Sequence, residues 1–273
     1  MNTLHSIWAI SLINFKEGLR RRIIYGVVLA ALLFMAFAVL ISGLFMRDIL
    51  KIMLDLCLSA VSASGLLVPF FIGITLLSGD MEQRTIYTIL AQPVSRAQYI
   101  LGKFLGLAML TAAIMGILTG ATLVTLWGAT YVFAEHFFAS FSFSSILLSS
   151  AMALLSVLVL NSAMVLWCCV TTSSFLATLL TLATYLIGQT VEDIVRFIAL
   201  QIPGAEVSTL TQKTVQATLY LFPNLAAFDF KQQAAHGLAI PLPEIALLVV
   251  YGTAYITVML VLAIVIFQKR DLA

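Results

Sequence analysis

Apolar residues in this chain come in long unbroken runs, not in the alternation of half-buried strands. Six runs are long enough to cross a hydrocarbon layer of about 30 Å, which takes roughly 20 helical residues. They are residues 23–45, 56–77, 100–127, 144–167, 171–189 and 245–267. The fourth and fifth are separated only by residues 168–170, which predicts a tight helical hairpin. The first run is too long for a cleaved leader, and no small-residue cleavage pattern follows it. Ahead of it, Leu4, Trp8, Leu12, Phe15 and Leu19 recur at three- and four-residue steps and form one apolar stripe, with His5, Asn14, Lys16, Glu17 and Arg20 off it. Such a stripe with a basic end predicts an interfacial helix over 1–22. Gly18 and the basic residues 20–22 mark its break from the first span.

Two polar segments interrupt the pattern. In segment 77–103, Asp80 and Glu82 suit a helix N-terminus, Ile86, Ile89 and Leu90 share a face, and Pro93 stops that short helix. Ser95 and Gln98 then form a capping box, with Val94 and Tyr99 spaced as a hydrophobic staple. Residues 191–243 form the one long segment outside the spans. Val191, Ile194, Val195 and Ile198 share a helical face there, Pro203-Gly204 breaks it, and 209–222 reads as a second helix stopped by Pro223. Tyr220, Phe222, Phe228 and Phe230 would lie at the membrane interface. The fold class is therefore an all-α integral membrane protein, one domain over 1–273, with an N-terminal interfacial helix, a helical loop over 79–98 and short outer helices before the last span.

Composition agrees: 62% of residues are hydrophobic and 10% charged, too few charges to cover a water-facing surface. A net charge of +2 gives no reason to expect a nucleic-acid partner. Charge placement adds orientation. Lys16, Arg20, Arg21, Arg22, Arg84, Arg96, Lys103, Lys269 and Arg270 share one side, nine of the fourteen basic residues, which places both termini in the cytoplasm. No charged residue falls well inside a span, which argues against a proton- or ion-coupled carrier. Energy, if used, enters from outside the membrane part. Cys57, Cys168 and Cys169 lie in apolar runs and read as buried small residues. Asp229 and His236 lack the company a metal site needs, and no metal ligands are expected.

Within the third span, Gly102/Gly106 and Gly116/Gly120 are small pairs four residues apart, which favour close helix packing, more readily within the chain than across a dimer. Hydroxyls in the fourth and fifth spans can bond their own helices. Asn161 is the one intramembrane residue singled out as lining a substrate path.

The pattern Gly79-Asp80 … Arg84-Thr85 … Leu90 … Pro93-Val94-Ser95-Arg96 … Leu101-Gly102-Lys103 resembles the cytoplasmic loop of ATP-binding-cassette transporter permeases of the type-2 exporter class. Gln83-Arg84-Thr85 stands where Arg-Gly-Thr is commoner, and Ile89-Leu90 where two leucines are. Lys16-Glu17 … Arg20 … Arg22, Phe222-Pro223-Asn224 and Phe267 … Arg270-Asp271 are similar to the family's other segments. The resemblance implies a permease working with a separate ABC ATPase, in a homo- or heterodimer of permease subunits. It implies that segment 79–98 is a coupling helix, with Gly79, Asp80, Glu82, Arg84, Thr85, Pro93, Val94, Ser95, Arg96 and Lys103 at the ATPase contact. Thr171, Thr172 and Ser173 would make a second contact. It also implies the plasma (inner) membrane of a bacterium or archaeon.

The chain has no Gly-x-x-x-x-Gly-Lys-Ser/Thr phosphate cradle, since Phe104 follows Gly102-Lys103. It is therefore expected to be non-catalytic, with no cofactor of its own and with ATP and magnesium on the partner. Two other readings stand beside an exporter. One is a membrane subunit that passes ATPase motion to a membrane or periplasmic partner without moving a solute. The other is an intramembrane enzyme, disfavoured because His5, His136 and His236 are scattered outside the spans.

Overall fold

The structure, a computed structural model, describes residues 3–44, 49–82, 94–132, 142–199, 221–238 and 240–269. The elements among these residues are all helical: α1 (Thr3–Arg20), α2 (Arg22–Ser42), α3 (Ile49–Val68), α4 (Ile74–Glu82), α5 (Arg96–Val132), α6 (Phe143–Val170), α7 (Ser174–Ala199), α8 (Lys231–His236) and α9 (Leu242–Lys269). A π-helical turn (Pro69–Gly73) joins α3 to α4, so the two make one continuous helix, and a 3-10 turn (Ala226–Phe228) precedes α8. Six helical stretches are long and apolar enough to cross a membrane, in the six expected places.

The bundle centre is α3, α5 and α6, which pack on one another. Helix α2 covers α3 and α5, α9 covers α6 and α5, and α7 lies on α6. The outward faces of α2, α7 and α9 carry exposed leucines, valines and phenylalanines. Lipid can solvate these side chains, whereas every backbone group inside the layer needs a protein partner, which helices supply internally. Threonine hydroxyls follow the same economy: Thr119, Thr122, Thr178 and Thr181 donate to the carbonyl four residues before.

Several boundaries differ from the sequence reading. Helix α3 begins at Ile49, seven residues early, so Lys51 and Asp55 lie in its first two turns with exposed side chains. The link between α6 and α7 is residues 171–173, and residues 168–170 complete α6. The Thr171 main-chain N–H and hydroxyl both donate to the Trp167 carbonyl, which closes the last turn of α6 before the chain becomes extended. Helix α7 runs without a break to Ala199 and absorbs the face of Val191 and Ile194, because no proline or glycine lies between Gly188 and Ala199 to stop it. The helix expected over 209–222 lies outside the described residues except at its end. Phe228 and Phe230 are not exposed as interfacial residues would be: both are buried in a small cluster with Met152, Leu160, Leu225 and Leu248.

Helix α1 breaks from α2 at Arg21, whose backbone is extended, as the basic cluster suggested. Its buried face is the small and polar one, Ser6, Ser11, Asn14 and Gly18, laid on α5. Leu4 and Trp8, on the apolar stripe, are 79% and 55% exposed. The start of the stripe is thus left exposed while Phe15 packs on the core, and the closest contact with α5 is made where the two backbones can approach.

The two glycine pairs of α5 divide the work. A Cβ on Gly102 would lie 2.7 Å from the Ile10 side chain, and one on Gly106 would lie 2.7 Å from the Ser11 carbonyl oxygen. Gly116 and Gly120 have nothing within 4 Å of that position. Gly106→Ala should therefore cost about 1–3 kcal/mol through overpacking against backbone that cannot yield. Gly116→Ala should be neutral, or stabilising by up to roughly 1 kcal/mol through helix propensity. Thermal unfolding of the two variants in detergent checks this contrast, and equal melting temperatures would refute it.

Candidate functional site

The polar segment 79–98 meets the bundle where α4 ends and α5 begins, and the side chains there are more engaged than their sequence suggests. Asp80 and Glu82 do not open a new helix. They continue α4, because the helical pattern runs past Gly79 without a stop. Gly79 is half-buried, with open space beyond its Cα. Arg84, Thr85 and Pro93, and the helix expected around Ile86 and Ile89, lie outside the described residues.

At the start of α5 the capping box forms as expected. The Ser95 main-chain N–H donates to Gln98 Oε1 at 2.9 Å, and the Gln98 N–H donates to Ser95 Oγ at 3.2 Å. This fixes the entry of α5 and the direction of the residues that follow. Ser95 is exposed and Val94 half-buried. Arg96 turns to α9: its Nη1 donates to the Phe267 and Gln268 carbonyls at 3.0 and 2.9 Å, and the guanidinium lies 5.9 Å from the Phe267 ring centre. A cation on the orphan carbonyls of a helix C-terminus also complements that helix's dipole. Tyr99, wholly buried, stacks on Phe267 at 5.9 Å.

Lys103 stands two turns into α5 and is only 7% exposed. Its Nζ donates to the Leu76 carbonyl of α4 at 3.1 Å and sits 5.7 Å from the Tyr99 ring centre. The Lys103 carbonyl in turn accepts from Asn14 Nδ2 of α1 at 3.0 Å. Expected at an ATPase surface, Arg96 and Lys103 have partners inside this chain. The first turns of α5 thus hold three other elements: α9 through Arg96, α4 through Lys103, and α1 through Asn14 and the Gly102/Gly106 notch.

The second predicted contact lies at the same end of the bundle. Helix α4 packs against both α6 and α7, which flank the 171–173 link. Thr172 is exposed, while Thr171 and Ser173 are half-buried. Ser173 lends its carbonyl to the Ala177 N–H at the start of α7.

Asn161 is fully buried in α6 and donates from Nδ2 to Thr111 Oγ1 of α5 at 3.2 Å, a polar link between two central helices. Cys57, Cys168 and Cys169 are buried thiols, not joined in a disulfide. At the outer end, Asp229 pairs with Lys231 at 3.1 Å, and His236 Nδ1 lies 2.9 Å from the Gln232 carbonyl, so the two residues have separate partners.

The Pro223-Asn224 step explains itself in the same terms. Asn224 accepts the Ala227 N–H on Oδ1, donates from Nδ2 to Glu192 of α7, and donates its main-chain N–H to the Tyr251 hydroxyl of α9. Gly188 lets this corner approach α7, since a Cβ there would lie 2.6 Å from the Pro223 carbonyl.

Sequence reasoning missed the Asn14–Lys103–Leu76 chain and the Arg96 cap. A signal for the first was present: Ser11, Asn14 and Gly18 form a small and polar stripe on α1, and Gly102/Gly106 offer a small-residue surface on α5. No pattern within α5 points to the carbonyls of α9.

A model of the family described as ABC-2 family transporter protein matches residues 8–272. Curated proteins yield no match. The chain therefore belongs to the ABC-2 family of transporter membrane proteins. It is a multi-pass membrane protein and a permease subunit of an ABC transporter, a component whose family works with an ABC ATPase and is not itself the catalyst.

If Arg96 caps α9, Arg96→Met should loosen that helix end at a cost of about 1–3 kcal/mol, the usual range for a hydrogen bond to a charged group. Hydrogen exchange should then quicken in the last turn of α9 and stay unchanged at its outer half. Unaltered exchange at Phe267 and Gln268 would refute the cap.

Proposed function

We propose that this chain is the energy-receiving permease of an ATP-driven exporter, with ATP and magnesium bound by the partner ATPase and segment 79–98 as its coupling element. The observation that carries the reading is the junction around α5: a push on α4 meets Lys103, α5 and, through Asn14, α1. A segment between two spans that is seated on the main framework of the bundle suits the transfer of motion from a soluble partner. Gly79, Asp80, Glu82, Arg84, Thr85, Pro93, Val94 and Ser95 form the proposed contact, with Thr171, Thr172 and Ser173 beside it at the same end.

On this reading both termini are cytoplasmic, the membrane is the plasma membrane of a bacterium or archaeon, and two permease subunits act with two ATPases. Positive charge supports the orientation, since segments 16–22, 84–103 and 269–270 carry nine of the fourteen basic residues. Asn161 stands in the proposed substrate path as the amide that joins α5 and α6 at membrane depth.

Two measurements test the proposal. A tagged chain purified at native expression should bring down an ABC ATPase, and repeated failure to recover one would overturn the partnership. In lipid nanodiscs, Glu82→Lys and Arg84→Glu should each lower ATP hydrolysis by the complex severalfold, towards the rate of the isolated ATPase. Unchanged turnover in both would remove segment 79–98 from the coupling role. A complex that hydrolyses ATP in vesicles while no candidate solute moves would replace export with transmission of motion to another membrane or periplasmic partner.

A further inference from the structure

Lys103 and two acceptors line one small cavity of about 10 Å3, together with Gly73 and Met164. The first acceptor is the Leu76 carbonyl on α4, which takes the ammonium at 3.1 Å. The second is Asn14 Oδ1 on α1. Asn14 is only 3% exposed, and its Oδ1 has no hydrogen-bond partner among the described residues. The amide orientation is fixed, because Nδ2 donates to the Lys103 carbonyl and so leaves the oxygen as the free end. Buried acceptors are rarely left without a donor. An ammonium on a four-carbon stem carries three rotatable donors and can change partner without moving its own helix.

The two acceptors belong to parts of the chain held in different ways. Helix α1 is set into the Gly102/Gly106 notch, where backbone and side chains leave no room for a Cβ, so α1 and α5 move together. Helix α4 follows the π turn Pro69–Gly73, where the regular ladder of hydrogen bonds is interrupted. Such turns bend helices and recur at functional positions. A displacement of α4 therefore changes the distance from Lys103 to Leu76 and leaves its distance to Asn14 nearly fixed.

We propose that Lys103 is a two-position latch, holding the Leu76 carbonyl of α4 in the state seen here and passing to Asn14 Oδ1 of α1 when the coupling segment is displaced. This rests on the coupling function proposed above and names the residue through which the movement enters α5. Lys103 is on this view a positioning residue.

The test uses the permease–ATPase complex in nanodiscs, with spin labels on introduced cysteines, since the three native cysteines are buried. One labelled pair, Thr75→Cys with Leu4→Cys, reads α4 against α1, and both positions are exposed and outside the proposed ATPase contact. A second, Leu44→Cys with Leu238→Cys, reads the outer end, where both side chains are exposed. In the parent chain, trapping with ADP and vanadate should shift both distances. Lys103→Met should keep the α4–α1 shift and reduce the outer shift to less than half. Asn14→Asp places a carboxylate at the second position and should move the resting α4–α1 distance towards its trapped value without nucleotide. A full outer shift in Lys103→Met, or an unchanged resting distance in Asn14→Asp, would overturn the latch. Absence of any shift in the parent complex would overturn the coupling function, and the latch with it.

Discussion

A main-chain carbonyl in hydrocarbon has no water to turn to, and the organisation of this protein follows from where its few donors are sent. Two cations of α5 end on carbonyls of other helices: Arg96 on the terminus of α9 and Lys103 on Leu76 of α4. Each satisfies an acceptor and joins two elements at once. The Lys103 carbonyl extends the chain to Asn14 of α1. Because these groups lie within the first turns of one capped helix, their spacing is set by the helix itself, and the four elements meet in one arrangement. Both described ends of segment 79–98 of this ABC-2 family member, the end of α4 and the start of α5, meet in that junction.

The outer end is built by the opposite means. Its anchor is a neutral side chain, Asn224, whose donors and acceptor join α7, α9 and the 3-10 turn. The following residues bury Phe228 and Phe230, and α8 closes on Gly237, whose left-handed backbone lets the Leu238 N–H return to the Gln233 carbonyl. Aromatic burial and one amide corner hold the chain over the bundle there. The two ends of the molecule thus differ in the strength and reach of what fixes them, which fits energy arriving at one end and a compact cap standing at the other.

The same distinction sorts what could be read from the residues in advance. Six spans, the break at Arg21 and the capping box at Ser95 and Gln98 were legible because each depends on neighbours within a few residues. The starts and ends of α3, α6 and α7 were displaced because a helix stops where its last carbonyls find partners, as at Thr171, and not where hydropathy falls. Asp80 and Glu82 suit a helix start by charge, yet they prolong α4, since nothing before them ends it. Phe228 and Phe230 were assigned to the interface from residue type, whereas the corner at Asn224 turns them inward.

By itself, then, the sequence determined that lipid is the solvent, that the chain crosses it as helices, and that charge collects in segment 79–103. Those are consequences of transfer free energies and local backbone preference, which act residue by residue. Tertiary structure alone decided what the charges are for. The small and polar side of α1, not its apolar stripe, seats on Gly102 and Gly106, while Arg96 and Lys103 turn inward to carbonyls many residues away. Pairing of that kind depends on which helices lie side by side, because a buried donor takes whichever acceptor the packing brings within about 3 Å.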